Sequence, residues 1–395
     1  MPSSREVNLI NQDQMEEWIR EVEERPQSGA VIVRFIIQRL KALTERNEEL
    51  LAENIELRSG RRVEEYERRI ANLEYQLELL RRQFGGEMPS GAALGAAVNT
   101  LSFLVYNPKG QVLRATVPLD EIGAGTVVAH FQDQQALQSG GPARLLVTHE
   151  HEELVLVFDS GRVKAIPTDQ IPIHSPHALD WQDAFFAEPH AGEQLVTAFA
   201  VGKMGLFDYV LQISRRGCVK RMMRSSFEQH LAKSYIGAGI KQPPDKTCCL
   251  ALSGKDGLLI LATHEGFILA QEVQNLSYTI EEALKLSATD YLVSAFVLGQ
   301  KPALLIVTHN GKVIHREKNW LEPAASSKSR GQAVFSQSRR DAGVRVIGAA
   351  AVDESDWAAA LHLDGKISVH PAADLFAEGS IVTASELVEF TAFTK

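Results

Sequence analysis

Two hydrophobic rhythms divide the chain. From residue 30, Ile36, Leu43, Leu50 and Leu57 repeat every seven residues, and Val33, Leu40, Asn47 and Asn54 repeat every seven, three residues before them. The first series fits the d positions of a coiled-coil seam and the second fits the a positions. A further series, Val63, Tyr66, Ile70, Leu73, Leu77, Leu80 and Phe84, advances by alternating steps of three and four. It starts two residues out of phase with the first, beside Ser59-Gly60, where a break or hinge is expected. Residues 30–84 are therefore read as coiled coil. Residues 1–29 are a polar lead-in with a short helix expected over "DQMEEWIREVEER", and residues 85–98, containing "GGEMPSGAALGAA", are read as a flexible linker.

An asparagine at an a position is costly unless it meets another across the seam. Asn47 and Asn54 in succession favour a parallel, in-register homodimer. Its dimerisation residues are Leu40, Leu43, Asn47, Leu50, Asn54, Leu57, Val63, Ile70, Leu73, Leu77 and Leu80. The same segments would alternatively pack on each other as a helical hairpin turning at "RSGRR".

Beyond Asn99 the helical period disappears. Short apolar or alternating runs end in polar turns, and they align on one glycine each: "FLVYNPKGQVLRA", "LVLVFDSGRVKAI", "YVLQISRRGCVKR", "LILATHEGFILAQ", "LLIVTHNGKVIHR" and "AALHLDGKISVHP". The glycines are Gly110, Gly161, Gly217, Gly266, Gly311 and Gly365, at spacings of 51, 56, 49, 45 and 54 residues. Each unit is a strand, a tight turn in which glycine supplies a positive φ, and a second strand. An apolar residue recurs ten positions after the glycine (Ile171, Phe227, Leu276, Leu321 and Leu375), or nine in the first unit (Leu119). Six units of this length over residues 99–395 predict a mainly β, six-bladed propeller with about four short strands per blade. A pair of β-sandwich domains is the competing architecture, but it does not account for one repeat running through six units.

Charge sharpens this picture. The chain is acidic, with 41 Lys+Arg against 50 Asp+Glu, yet the charge is segregated. Residues 200–246 carry net +6 and residues 301–345 net +6, whereas residues 91–199, 247–300 and 346–395 carry −7, −4 and −6. A local band of Lys and Arg holds a phosphate backbone whatever the net charge, since local potential governs encounter and counterion release supplies affinity. The residues expected to contact DNA are Arg162, Lys164, Arg215, Arg216, Lys220, Arg221, Arg224, Lys233, Lys241, Lys312, Arg316, Lys318, Lys328, Arg330, Arg339 and Arg340. Contacts to phosphate with little base readout are expected. The bland alternative is a solvated surface whose basic patches pair with the acidic units beside them.

The best-formed units, "ISRRGCVKRMMRSSF", "VFDSGRVKAIPTDQI" and "VTHNGKVIHREKNWL", resemble the blade motif of the C-terminal domain of the A subunits of DNA gyrase and topoisomerase IV. "SYIGAGIK" (234–241) and "SKSRGQAV" (327–334) look like that family's second, glycine-containing loop. The resemblance spans residues 99–395 and implies a six-bladed β-pinwheel whose basic rim bends or wraps duplex DNA. No stretch matches the Gln-Arg-Arg-Gly-Gly-Lys-Gly box of gyrase; "SRRGCVKR" is a partial echo. The family's strand-cleaving domain has no counterpart in these residues, where a coiled coil stands instead. By itself the chain is expected neither to cut nor to supercoil DNA.

Other chemistry leaves few traces. Three cysteines, Cys218, Cys248 and Cys249, do not make a disulfide framework and suit a reducing cytosol. The vicinal Cys248-Cys249 pair suits either a redox pair or the start of a buried strand. "THEHEE" (148–153) puts His149 and His151 among glutamates, a pattern that serves a metal site or a solvated turn. His264 and His309, two residues before their glycines, suit turn formation. No phosphate-binding loop, nucleophile elbow or Cys-x-x-Cys pair occurs, no cofactor is implied, and no apolar run approaches a membrane span. The expected function is that of a dimeric, non-enzymatic DNA-binding protein of the bacterial nucleoid that holds, bends or bridges duplex segments, with a topoisomerase or another nucleoid protein as a candidate further partner. The competing readings are a protein-interaction scaffold whose pinwheel docks a partner, and an unrecognised propeller enzyme.

Overall fold

The computed structural model describes residues 100–395 except 150, 151, 203, 325–328 and 384, and before them only residues 20, 23–25, 29–34, 36–38 and 40. The chain divides into two units, Met1–Leu94 and Gly95–Lys395. In the first unit the described residues from 29 to 40 are helical, and Val31, Val33, Ile37 and Leu40 are exposed. Of the residues expected to dimerise, only Leu40 is described. Leu43, Asn47, Leu50, Asn54, Leu57, Val63, Ile70, Leu73, Leu77 and Leu80 lie outside the described residues, as does the linker.

The second unit is built from six consecutive repeats. The first contains β1 (Thr100–Tyr106), β2 (Gln111–Pro118), β3 (Val127–His130), helix α1 (Gln134–Ser139) and β4 (Arg144–His149). The second contains β5 (Glu153–Phe158), β6 (Val163–Pro167), β7 (Phe185–Phe186) and β8 (Leu195–Ala200). The third contains β9 (Tyr209–Ser214), β10 (Cys218–Met223), helix α2 (Arg224–Ala232) and β11 (Thr247–Ser253). In the fourth are β12 (Leu258–Thr263), β13 (Phe267–Glu272), β14 (Glu281–Glu282) and β15 (Leu292–Val297). In the fifth are β16 (Ala303–Thr308), β17 (Val313–Glu317), β18 (Gln332–Ala333), helix α3 (Gln337–Asp341) and β19 (Val346–Val352). The sixth contains β20 (Asp356–His362), β21 (Lys366–Pro371) and β22 (Leu387–Thr394).

Each repeat makes a hairpin, sends a segment across to the preceding blade, and returns as the inner strand of its own blade. The sheet orders β4-β1-β2-β7, β11-β9-β10-β14 and β15-β12-β13-β18 show the exchange: the outermost strand always comes from the next repeat. Blades two and five are three-stranded, and their outer position shrinks to the single bridges Arg162↔Tyr235 and Lys312↔Ile381. The ring closes when β3 of the first repeat pairs with β21 of the last. The expected four strands per blade are thus present in four blades, but one of the four is borrowed.

The wholly apolar runs follow from this packing. Successive side chains of a strand point to opposite faces, and here both faces are covered by neighbouring blades. Leu101, Phe103 and Val105 enter the core between blades six and one, while Leu104 and Tyr106 enter the core between blades one and two. Leu154, Leu156 and Phe158 of β5 face blade one, and Val155 and Val157 face blade three. The recurring apolar residues after the turns, Ile171, Phe227, Leu276, Leu321 and Leu375, are buried in these inter-blade cores, and Leu119 packs half-buried on the first.

All six hairpin glycines have φ between +75° and +89°. The turn is only half of the reason for glycine. A Cβ at Gly311 would lie 2.1 Å from the Thr383 carbonyl oxygen, and one at Gly161 would lie 2.2 Å from Gly237. The crossing segment of the next repeat is laid directly on each turn, which leaves no room for a side chain.

The inner strands β4, β8, β11, β15, β19 and β22 pack side by side around the axis. Five of them carry a β-bulge at one equivalent position, where Val196, Cys248, Val293, Ile347 and Val388 are the extra residues. The sixth, β4, pairs without a bulge, with Arg144 opposite Tyr106.

Candidate nucleic-acid interface

The antiparallel registers bring the six glycine turns to one end of the ring. Along this end a chain of contacts links the basic residues of three adjacent blades. In the turn of blade three, exposed Arg215 lies 4.1 Å over the Tyr291 ring, which stacks on His264 at 4.6 Å. Its neighbour Arg216 donates to the carbonyls of Asp290 and Ser287. Lys285, two residues from Ser287, donates its backbone N–H to Ser329 at 3.0 Å, which places it next to Arg330. The guanidinium groups of Arg330 and Arg340 lie 4.3 and 4.9 Å from the ring of Phe267, in the turn of blade four. Arg340 accepts from Arg345 through its carbonyl at 2.7 Å, and the Arg345 carbonyl accepts from His309 in the turn of blade five, where Lys312 is exposed. Lys241 sits exposed beside Arg215 and Arg216 at the other end of this path. Arg339 is exposed on α3.

Carboxylates interrupt the arc: Asp245 accepts from the Arg216 N–H at 2.9 Å, and Asp290 accepts from the Glu265 N–H at 2.9 Å. Glu265, in the turn of blade four, accepts hydrogen bonds from Thr289 (2.7 Å) and Ser287 (3.2 Å) and lies 3.6 Å from Arg330. The hydrogen bond from Thr289, with help from Ser287 and Arg330, holds its carboxyl below the usual range, so it is charged.

The remaining basic residues expected at the site are elsewhere or occupied. In blade two Arg162 is locked to Glu193 at 2.6 Å, and Lys164 meets Glu188 at 2.9 Å. Burial works against ionising Glu193, but hydrogen bonds from Arg162, Ser160 and the His190 N–H override it and bring that carboxyl down to about 2. Lys164 likewise lowers Glu188. Lys233 is exposed beside Tyr235 and Arg162, and Lys220 is half-buried on β10 opposite Gln212. Arg224 and Lys318 follow the second hairpin strand and so sit at the opposite end of the ring, where they donate to the carbonyls of Gly205 (2.6 Å) and Gly299 (3.5 Å). Lys328 lies outside the described residues.

Arg221 is internal and Arg316 is half-buried. Arg221 is buried, donates to the carbonyls of Val273 (3.0 Å) and Gln274 (3.2 Å), and lies 4.3 Å from the Tyr278 ring. It fastens blade three to the short turn of the next repeat. Arg114 stands at the same distance from its glycine in the first repeat. It is only 1% exposed and donates to Thr168 (2.9 Å) and Ile171 (3.1 Å) in the matching turn of the second. Arg316 donates to the carbonyls of His315 and Val334. The four-residue offset shared by Arg114 and Arg221 is visible in the sequence and marks an inter-blade latch. Lys285 was missed because it belongs to a net-acidic repeat, which conceals a single well-placed cation.

The other candidates fare plainly. Cys248 and Cys249 lie on β11 as free thiols; burial raises both, Cys249 to about 11, so neither is a ready thiolate. His149 ends β4, and His151 lies outside the described residues; among the described residues no cluster of metal-binding side chains occurs. His264 and His309 belong to their turns, as expected, with ring nitrogens bonded to the Val346 carbonyl and the Arg345 N–H. Among the described residues no helix is long and apolar enough to cross a membrane.

No protein-family model matches the sequence, and no curated protein matches it by sequence. Structural similarity is found instead. A DNA gyrase A C-terminal domain matches with a TM-score of 0.58 at 19% identity, over 75% of this chain and 99% of that one. A C-terminal domain of DNA topoisomerase IV matches at 0.48 and 16%, over 74% and 93% of the two chains, and the E. coli ParC C-terminal domain at 0.42 and 13%, over 62% and 100%. Residues 100–395 thus have the fold of the gyrase A C-terminal domain, a closed ring of six blades with exchanged outer strands.

Proposed function

We propose that this chain is a non-enzymatic protein that binds duplex DNA by its phosphate backbone, through the turn end of blades three to five. The observation that carries this reading is the run of exposed cations across three neighbouring blades, Arg215, Arg216, Lys241, Lys285, Arg330, Arg339 and Lys312, which outnumber the carboxylates set among them. The cations of blade two are neutralised by Glu193 and Glu188, and residues 346–395 are acidic. DNA therefore follows an arc over part of the ring and leaves it. The relatedness of fold to a gyrase A domain supports the same reading, and a surface of this kind gives affinity without sequence specificity.

The coiled coil completes the proposal. Among the described residues of the first helical stretch, Val33 at an a position is exposed, which suits the seam of a parallel homodimer. A parallel homodimer would carry two pinwheels, and two linked sites bridge duplex segments with increased avidity. The test is equilibrium binding to linear duplex across a salt series, with the full chain and with residues 1–94 removed. Binding that falls steeply with salt, and bridging lost on removal of the helical segment, is expected. No binding at low salt overturns the reading. A protein partner retained after nuclease treatment would then mark the chain as a scaffold.

A further inference from the structure

The axis of the ring holds a cavity of about 920 Å³ at the turn end, and the first residues of all six inner strands line it. Its collar is made by the five bulge residues, Val196, Cys248, Val293, Ile347 and Val388, with Arg144 in the sixth place. Each bulge turns an apolar side chain toward the axis, and all five remain partly accessible. The collar charge is a single cation. Arg144 reaches the Glu389 carboxylate at 3.0 Å across the seam between blades one and six; the arginine side chain is 36% exposed and the glutamate 9%.

A concave site that sets an apolar collar beside a well-placed charged group is the usual form of a small-molecule pocket, and this volume falls in the usual range. The charge balance narrows the occupant. The collar itself offers one guanidinium, whose planar fork matches a carboxylate, while Arg215, Arg216, Lys241 and Lys246 line the cavity beyond it together with the carboxylates of Asp245 and Glu282. We propose that the axial cavity binds a small organic monoanion, a carboxylate on an apolar body, with the carboxylate on Arg144 and the hydrocarbon against the bulge residues.

Glu389 must give way when such a ligand arrives, by taking a proton. Burial favours this despite the pull of Arg144, and pushes its carboxyl up to about 7. The groups facing it are Arg144 from β4, Tyr106 from β1, and Cys248 and Cys249 from β11. Tyr106 and both thiols are raised, so they stay neutral near pH 7, and His264 at the mouth is lowered and is uncharged there too. Ligand uptake is then linked to protonation of Glu389, and affinity should fall by about tenfold per pH unit above 7.

The experiment is calorimetric titration of the full chain with octanoate between pH 6 and 9, with octanol and inorganic phosphate as controls. Saturable one-to-one octanoate binding that weakens with pH is expected, with both controls at least tenfold weaker. Glu389→Gln should bind octanoate with a flat pH dependence, and Arg144→Gln should lose at least tenfold. The glutamine is nearly isosteric with Glu389, so this variant decides the matter even where Arg144→Gln lowers the melting temperature enough to prevent titration. Absence of saturable binding, phosphate binding as tight as octanoate, or a pH dependence unchanged in Glu389→Gln overturns the proposal. DNA binding is read separately by fluorescence anisotropy, so failure of octanoate binding leaves the DNA-binding reading standing.

Discussion

Replacing Lys285 with alanine tests whether the turn-end arc meets DNA. The lysine is exposed between the turn of blade three and Arg330, and no hydrogen bond or ion pair holds its ammonium among the described residues. It is one of seven exposed cations on the path. If each neutralises one phosphate, log K should fall with log salt at a slope of about −6, and affinity should drop by between about 10³ and 10⁴ from about 50 to 200 mM salt. Removing Lys285 should lower that slope by about 0.9 and weaken binding by about five- to tenfold at about 0.1 M salt, uniformly across sequences. Lys318→Ala is the matched control, a lysine at the opposite end of the ring. Fluorescence anisotropy of an end-labelled duplex gives both slopes. The reasoning fails if Lys318→Ala reduces the slope as much as Lys285→Ala, or if the full chain shows a slope shallower than about −2.

Three further outcomes are expected. Glu265→Gln should tighten DNA binding by several-fold, because it removes the carboxylate that pairs with Arg330 and frees that guanidinium; unchanged or weaker binding would show that DNA does not cross the turn of blade four. Arg114→Met should lower stability by about 3 kcal/mol, since the Thr168 and Ile171 carbonyls lose a buried donor, and the urea midpoint should fall while the DNA salt slope of the folded protein is preserved. For Glu389, a carboxyl at about 7 in the fold and near its ordinary value when unfolded makes stability highest below about pH 4.5 and lost as pH rises through 7. Glu389→Gln should therefore gain on the parent protein between pH 5 and 8, by at most about 3 kcal/mol, and melting temperatures that run in parallel over that range would contradict it.

The hairpins were legible because their causes are local. A glycine, two apolar strands and a buried residue ten positions on all lie within one short stretch, and every repeat carries them. The exchanged outer strand was not legible. It is two residues long in blades one, three and four, and its partner lies in another repeat. The bulges of the inner strands also leave no composition signal, since valine, isoleucine and cysteine serve equally well on a regular strand. Among the basic residues, counting by repeat found Arg215 and Arg216 but gave Arg221 the same role. Strand alternation separates them: Arg221 shares the parity of buried Val219, whereas the turn residues are free of that constraint. Charge counts cannot distinguish a guanidinium aimed at water from one aimed at a neighbour's carbonyl.

The borrowed outer strand has a mechanical consequence. Residue 100 begins β1 and Thr394 ends β22, both at the end of the ring away from the turns, on the two blades that β3 and β21 clasp together. A pull on the two ends of this unit therefore loads that clasp in shear, so the whole ladder must give at once instead of unzipping rung by rung. Joining those ends and cutting the chain between any two other repeats should leave every pairing intact, and a circular permutant of this kind should fold. Deleting one repeat would instead bare two edges, so such rings grow or shrink only by whole repeats whose neighbours accept the exchange.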